Sequence, residues 1–461
     1  MLYRALRAAG DVALHWYYAD VVVQGAERIP ADGPLVIASN HPNALVDALL
    51  VSTAIRRRVL LTAKATIFEH TLLAPLLRSV GVVPLRRAKD ELAARRGETV
   101  TVARNTESFR QVTEALLHGG AVLVFPEGIS HDAPALAPLK TGVARMALTA
   151  SASGARGLRV LPLGLIFERK EQPRSRVLVR VGEPIDVDAW RARTGSDDAS
   201  RLTADIESAL RHVTLNFASE ERARRVVALA RALAAITEAP PTLGRPRALA
   251  TEAQLAHRIE VATDALESAP PSVARQADAF IARVDALETR LAARGATLAD
   301  AQISPRLRHG AWFVVRESLV VALAIPVALL GRVMHWLPLS TARALAMRPL
   351  ARDPSRDQPA MRTILLGLAL VLLWYALQAV LVARWFGAVV AALWLVVLFV
   401  SARIDFLLRD RFGRAFGRAR TYLALRADPA LREGSLAEIS AVVAEGLALE
   451  AALIVPLAAG R

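Results

Sequence analysis

The hydrophobic rhythm of the chain changes twice along its 461 residues. From residue 20 to about 190, short apolar runs alternate with stretches whose apolar positions recur at helical spacing. The runs Val21–Val23, Leu35–Ala38, Val59–Ala63, Val82–Leu85, Val122–Phe125, Val160–Phe167 and Arg176–Val181 predict strands. Helices are expected to begin near Pro42, Phe68, Glu98, Leu139 and Thr203. Strands alternating with helices imply an α/β fold, a mixed and mostly parallel sheet flanked by helices. In such sheets ligands sit on the loops at the strand ends.

From about Ala218 to His309 the pattern becomes purely helical and rich in Arg and Ala, punctuated by Pro240-Pro241 and Pro270-Pro271. Leu255, Ile259, Ala262 and Leu266 repeat at helical spacing, as do Phe280, Val284, Leu287 and Leu291. This region reads as a helical insert or lid, or as plain helical packing.

The last third is apolar enough to raise the question of a membrane. Thr363 to Ala383 is a run of 21 residues without a charge, and Trp385 to Ala402 adds 18 more. At about 1.5 Å per residue each reaches across a hydrocarbon core, or nearly so. A turn at Arg384–Gly387 would fold them into a hairpin near 363–402. Arg362 and the run Arg403, Arg409, Arg411 and Arg414 flank its outer ends, which places both ends on the cytoplasmic side. Ala311 to Leu339 is also apolar but holds Arg316, Glu317, Pro326 and Arg332, and suits a re-entrant or interfacial segment better than a full span. The N-terminal stretch to Tyr17 mixes apolar and charged positions, is too short to span, and fits a helix lying in the headgroup region or packed on the domain. The expected organisation is an interfacial helix at 1–19, an α/β domain at 20–217, a helical insert or lid at 218–309 and a membrane-associated helical region at 310–461.

Composition narrows the partners. The 58 basic and 43 acidic residues give a formal charge of +15, which suits anionic lipid, an anionic small molecule or nucleic acid. Aromatic residues make up only 5% of the chain, little for stacking bases, and 54% of positions are hydrophobic, so membrane lipid is favoured over nucleic acid. The chain lacks cysteine, which excludes disulfides, thiolate metal sites and a cysteine nucleophile. No arrangement of histidines and carboxylates has metal-ligand spacing, and no cofactor is expected. Only four of the basic residues are lysines, Lys64, Lys89, Lys140 and Lys170, all in the first 170 residues. A compact ammonium fits where a guanidinium fork does not.

Two stretches carry chemistry. Residues 40–47 read Asn-His-Pro-Asn-Ala-Leu-Val-Asp, and residues 125–131 read Phe-Pro-Glu-Gly-Ile-Ser-His. Pro42 fits the first position of a helix, with His41 near its cap. A six-residue offset is about 600° on a helix, so His41 and Asp47 meet only if His41 lies outside it with its ring folded back. In that geometry Asp47 fixes the tautomer and leaves the other ring nitrogen as a base. A capping histidine beside an unrelated helix aspartate is the other reading. Arg86, Arg87 and Lys140 are candidate phosphate contacts, Arg as a bidentate fork and Lys as a point charge. His131 and Asp132 are read as turn residues, with a site role as the alternative.

Taken together, the His41…Asp47 block, Gly81 to Arg87, Phe125 to Gly128 and Val160-Leu-Pro-Leu-Gly164 resemble the glycerolipid acyltransferase family. Ala63-Lys64, Leu139-Lys-Thr-Gly142 and Gly182-Glu-Pro-Ile185 are also typical of it. The resemblance covers roughly residues 20 to 190 and implies the fold of that family. It implies that His41 is the general base with Asp47 as partner, and that Arg86, Glu127 and Gly128 hold the acceptor's glycerol-phosphate end, with Asn43 and Lys64 as further substrate contacts. Five residues separate His41 from Asp47 where most of the family has four. That spacing resembles the fungal branch that acylates glycerol 3-phosphate or dihydroxyacetone phosphate, which also carries membrane segments after the catalytic domain. The implied reaction moves a fatty acyl group from acyl-CoA or acyl carrier protein, as co-substrate, to glycerol 3-phosphate or 1-acylglycerol 3-phosphate at the cell membrane, with the catalytic domain facing the cytoplasm. Another lysophospholipid or an aminolipid as acceptor, and a non-catalytic protein that binds anionic lipid, are the alternatives.

Overall fold

The computed structural model describes residues 2–64, 82–85, 101–238, 248–303, 306–348 and 358–459. The chain divides into two compact units, Met1–Asn216 with Ala346–Leu365, and Phe217–Leu345 with Leu366–Arg461.

The first unit is built on one sheet. Its strands are β1 (Asp20–Gln24), β2 (Leu35–Ser39), β3 (Val59–Lys64), β4 (Val83–Leu85), β5 (Ala121–Val124), β6 (Arg159–Phe167), β7 (Arg176–Val181) and β8 (Ile185–Asp186). They lie in the order β1-β7-β6-β2-β5-β3-β4, with β8 beside β6. The pairs β1·β7, β2·β6, β2·β5, β3·β5 and β3·β4 are parallel, while β6·β7 and β6·β8 are antiparallel. Strands β1 to β7 fall where the apolar runs predict them, within a residue or so at each end, while the two-residue β8 has no run to predict it.

Alternation along the strands explains why helices cover both faces. Leu35, Ile37, Leu123, Leu161 and Leu163 point to one side, where they pack with α1 (Leu2–Tyr17) and α2 (Leu45–Ala54). Val36, Ala38, Val122, Val124 and Val160 point to the other. There they meet α3 (Thr101–Leu117), α4 (Gly142–Ala152) and α6 (Ala199–Val213), with Trp190 from the short α5 (Val187–Thr194). A strand buried on both faces reads as a near-continuous apolar run, as Leu-Val-Ile-Ala does in β2. Ala360 and Ile364, at the start of α11 below, join the first of these cores.

The second unit is helical: α7 (Glu220–Thr237), α8 (Leu249–Leu266), α9 (Pro271–Ala293), α10 (Leu307–Met347), α11 (Pro359–Phe386), α12 (Ala388–Ala427) and α13 (Pro429–Ala459). Phe280, Val284, Leu287 and Leu291 of α9 form its core with Ile236 of α7 and Ile439 and Val442 of α13. Among the described residues three helices are long and apolar enough to cross a membrane: Gly310–Met347, Pro359–Phe386 and Ala388–Ala427. Gly387 makes the turn between the last two, with φ 86°, and Trp394 Nε1 donates to Gln378 Oε1 at 3.1 Å across it.

The 311–339 stretch does not re-enter by a break in the helix. It lies within one continuous helix of 41 residues that runs through Pro326 and Pro338. Its charges are tolerated because neighbours neutralise them. Glu317 accepts from Arg411 Nε and Nη2 at 2.7 and 2.9 Å, and Asp405 accepts from Arg332 Nε and Nη2 at 3.1 and 3.0 Å. Polar side chains in apolar spans face such partners. Gly331 allows the close approach of α10 to α12, since a Cβ there would lie 2.2 Å from the Ser401 carbonyl oxygen.

Candidate active site

Loop 40–44 and loop 125–141 leave the C-terminal ends of β2 and β5, adjacent parallel strands in the middle of the sheet. Where β2 stops, Asn40 continues the pairing with its side chain. Its Nδ2 donates to the Leu165 carbonyl at 3.0 Å and its Oδ1 accepts from the Leu165 N–H at 2.7 Å. The start of the first loop is thereby clamped to β6.

The helix that follows begins later than Pro42. Ala44 takes a positive φ of 49°, and α2 starts at Leu45. Asp47, in the first turn, reaches back to the loop. Its Oδ2 accepts from the Asn43 N–H at 2.7 Å and from His41 Nδ1 at 2.9 Å. His41 therefore stands outside the helix with its ring folded over the first turn. Because Asp47 is the acceptor, Nδ1 carries the hydrogen and the neutral ring keeps its lone pair on Nε2. The ring lies flat on Phe125, with centroids 3.8 Å apart and planes 12° from parallel. The His41 side chain is 14% exposed and that of Asp47 is 0% exposed, so only the imidazole reaches solvent. Burial pushes the Asp47 carboxyl above its ordinary value, against the pull of the His41 bond, the Asn43 N–H and the charge of Lys170.

The second loop is stitched to the first through Glu127. Its Oε1 accepts from the His41 backbone N–H at 2.9 Å, and its Oε2 accepts from the Ala137 N–H at 2.7 Å and from His131 Nε2. His131 Nδ1 accepts from the Ala133 N–H at 3.1 Å, so its hydrogen is on Nε2, aimed at Glu127. The His131 N–H donates to the His41 carbonyl at 3.3 Å, and the Ala44 N–H donates to Ser130 Oγ at 3.2 Å. Gly128 turns the chain at φ 73°, a conformation that disfavours a side chain, and its N–H bonds the Phe125 carbonyl at 3.0 Å. Lys140 is exposed beside this turn, its N–H held by the Pro126 carbonyl at 2.8 Å.

The candidate residues thus separate into those that reach the surface and those used internally. The His41 ring is partly exposed on one loop, and Lys140 is exposed on the facing loop beside the Gly128 turn. Glu127 is 2% exposed and spends both oxygens on the protein, so it shapes the site from beneath, unlike the acceptor contact the family resemblance implies. Asn43 is fully buried; its Nδ2 donates to the Tyr18 hydroxyl at 3.0 Å, and it too supports the loop from behind. Lys64 ends β3, two strands from β2. Arg86 and Arg87 lie outside the described residues. Among the described residues no cluster of three or more His, Asp or Glu could hold a metal ion.

Residues 20–166 match the Acyltransferase family. Over 117 residues the chain is 41% identical to glycerol-3-phosphate O-acyltransferase 2 of Saccharomyces cerevisiae, covering 24% of this chain and 16% of that protein. An uncharacterized acyltransferase of Schizosaccharomyces pombe is 23% identical over 290 residues, 44% of this chain and 43% of that one. The solved 1-acyl-sn-glycerophosphate acyltransferase of Thermotoga maritima superposes with a TM-score of 0.35 at 21% identity, over 46% of this chain and 78% of its own. Over residues 20–166 the chain is thus similar to acyltransferases, among them enzymes named for glycerol 3-phosphate. It spans less than half the length of the fungal relatives named here.

Four residues that hold the candidate site are given no role by the motifs. Tyr18 and Lys170 come from the end of α1 and the turn after β6, and Asn40 and Ser130 sit beside the motifs without being part of their chemistry. Burial keeps the Tyr18 hydroxyl well above its ordinary value, so it remains a neutral O–H that can donate to the Lys170 carbonyl at 3.3 Å. The rarity of lysine in this arginine-rich chain is the one sequence signal that points to Lys170.

Proposed function

We propose that the protein is a membrane-bound acyltransferase that moves a fatty acyl group from an acyl thioester to a hydroxyl of glycerol 3-phosphate. The observation that carries this reading is the His41 ring, fixed by Asp47 through Nδ1 and partly exposed, with Nε2 left without a partner among the described residues. Nε2 takes the hydroxyl proton as the oxygen attacks the thioester carbonyl. The tetrahedral adduct collapses with cleavage of the C–S bond, and the thiolate leaves and is protonated by the imidazolium. A thiol of pKa about 8.5 needs little help to depart. A positioned base of this kind contributes about 10²–10⁴ in rate. Asp47 holds the tautomer and stabilises the imidazolium that forms.

Lys140 has no side-chain partner among the described residues and stands beside the Gly128 turn, where it suits the acceptor phosphate. Arg86 is assigned a second phosphate contact on the family pattern. Glycerol 3-phosphate is preferred over its 1-acyl derivative because the 41% identity over 117 residues is to a yeast glycerol-3-phosphate O-acyltransferase. Acyl-CoA or acyl carrier protein is the donor. The three apolar helices support membrane association, and Arg362 with the arginines after Ala402 favour a cytoplasmic side for the outer ends of the hairpin.

Purified protein given one labelled acyl-CoA with glycerol 3-phosphate, 1-acylglycerol 3-phosphate or a lysophospholipid, in separate reactions, tests the proposal. Product with glycerol 3-phosphate that disappears in His41→Ala is the expected result. Full turnover by folded His41→Ala overturns it.

A further inference from the structure

Three oxygens converge on the ammonium of Lys170. Nζ donates to the Pro42 carbonyl at 2.7 Å and to the His131 carbonyl at 3.4 Å, and it pairs with Asp132 Oδ1. The backbone of the same residue serves the same loop, because its carbonyl accepts from Asn43 Nδ2 at 3.4 Å and from the Tyr18 hydroxyl at 3.3 Å. Lys170 therefore touches the residues on either side of the His41–Asp47 loop: Pro42 directly after the imidazole, and His131 and Asp132 on the facing loop. It lies in the turn after β6, 128 residues from Pro42 in sequence, and its side chain is only 15% exposed.

The match between donor and acceptors is specific. An ammonium has three N–H donors radiating from one atom, and three acceptors surround this one. A guanidinium spreads its donors over a plane and cannot place three on oxygens that converge on a point. Only four of the 58 basic residues are lysines, and one occupies this position.

We infer that Lys170 is a positioning residue for acyl transfer: its ammonium locks the His41 loop to the 125–141 loop and thereby sets where His41 Nε2 points. The inference rests on the base assignment given under Proposed function. Lys170 is also a cation whose charge pulls the Asp47 carboxyl down. The other titratable groups facing that carboxylate are His41 from its own loop and Tyr18 from the end of α1. Glu127 and His131 act one bond further away, through the His41 backbone, and Asp132 is paired with Lys170 itself. Removal of the cation raises the affinity of Asp47 for a proton, because nearby positive charge favours the carboxylate.

The experiment compares Lys170→Met and Lys170→Arg with wild type and His41→Ala in the full-length protein in detergent, reading kcat, KM for both substrates, the pH profile of kcat/KM and the melting temperature. Displacement of a catalytic group by about 1 Å costs about 10²-fold in rate. Lys170→Met is expected to lose about that much in kcat, keep both KM values within about threefold by the same argument, and move the acid limb of its pH profile to higher pH. Lys170→Arg is expected to restore the acid limb but not kcat. If Lys170→Met turns over like wild type, or loses activity through KM with an unmoved acid limb, the inference is overturned. If Lys170→Met does not fold, folded Lys170→Arg decides, and wild-type kcat in that variant overturns it. Activity retained in His41→Ala would instead remove the base assignment itself, which keeps the two failures apart.

Discussion

Two histidine–carboxylate pairs lie a few ångströms apart in this protein, and they are wired in opposite directions. In loop 40–44, Asp47 takes the Nδ1 hydrogen of His41 and leaves Nε2 with no partner among the described residues. In loop 125–141, Glu127 takes the Nε2 hydrogen of His131, and the Ala133 N–H occupies Nδ1. The first ring keeps a lone pair at the surface, whereas the second has none to offer. The carboxylates differ as well. Asp47 gives one oxygen to the ring and to the Asn43 N–H, while Glu127 divides two oxygens among His41, His131 and Ala137. Two histidine–carboxylate pairs thus leave an unpartnered ring nitrogen in one loop and a fully bonded ring in the other, and the partner of the second ring nitrogen makes the difference.

The largest expected effect tests that asymmetry directly. His41→Ala should lower kcat by about 10³-fold, within the range for a positioned base, with the melting temperature little changed because the ring is partly solvated. Steady-state kinetics on the two acceptors and a thermal melt provide the check. A fall of only a few-fold would mean that the exposed nitrogen is not the base.

Asp47→Asn should come next, at roughly 10²-fold in kcat, since Asn can still accept from His41 Nδ1 and the Asn43 N–H but cannot stabilise an imidazolium by charge. Its stability should move the other way. The folded-state pKa of the carboxyl lies above its unfolded value, so the folded chain holds that proton more tightly. The stability this contributes is complete below the ordinary carboxylate range and is lost as pH rises through the raised value. Above that raised value the wild type must bury an ionised group, and Asp47→Asn never does. The variant should therefore melt at or above the wild-type temperature at neutral pH, with the gap closing toward pH 4. A variant that melts well below wild type at pH 7 would show that His41 and Lys170 compensate the buried charge more fully than its surroundings suggest.

The contrast between the pairs also shows what the sequence carries. The strands are legible because apolar runs of fixed length can only be buried ribbons, and β2 and β5 fall on Leu35–Ala38 and Val122–Phe125 almost residue for residue. The fold-back of His41 is legible too, since the 600° offset leaves no other way for it to meet Asp47. Pro42 misleads: its fixed φ suits a helix start, but Ala44 breaks the backbone after it and Asp47 caps the Asn43 N–H from within the helix. The inward turn of Glu127 and Asn43 is invisible because it depends on hydrogen bonds to residues 86 and 25 positions away. The polar residues of 311–339 read as obstacles to a span until Arg411 and Asp405, about ninety and seventy positions on, supply their counter-charges.

Glu127→Gln sharpens the comparison through stability. Both oxygens of Glu127 receive N–H donors, so an amide nitrogen at either place confronts one: His41 N–H on one side, Ala137 N–H and His131 Nε2–H on the other. His131 cannot switch tautomer to relieve this, because its Nδ1 must accept from the Ala133 N–H. A buried donor left facing a donor costs about 1–3 kcal/mol. The melting temperature should fall and kcat should drop with it, as the loop that carries His41 loosens. Unchanged melting would mean that Glu127 is less committed to the protein than its bonds indicate.

His131→Ala should have the smallest effect. It removes one of the donors to Glu127 Oε2 and leaves the Ala137 N–H in place, so the carboxylate stays anchored. The Ala133 N–H loses its acceptor at an exposed position, where water replaces it. The expected cost is about 1 kcal/mol of stability and less than about tenfold in kcat, because no nitrogen of this ring is free to move a proton. The pH profile gives the sharper reading: its acid limb should stay where the wild type has it, since the His41–Asp47 unit is untouched. A loss equal to that of His41→Ala, with the acid limb displaced, would make the second pair the chemical one and reverse the assignment of the two loops.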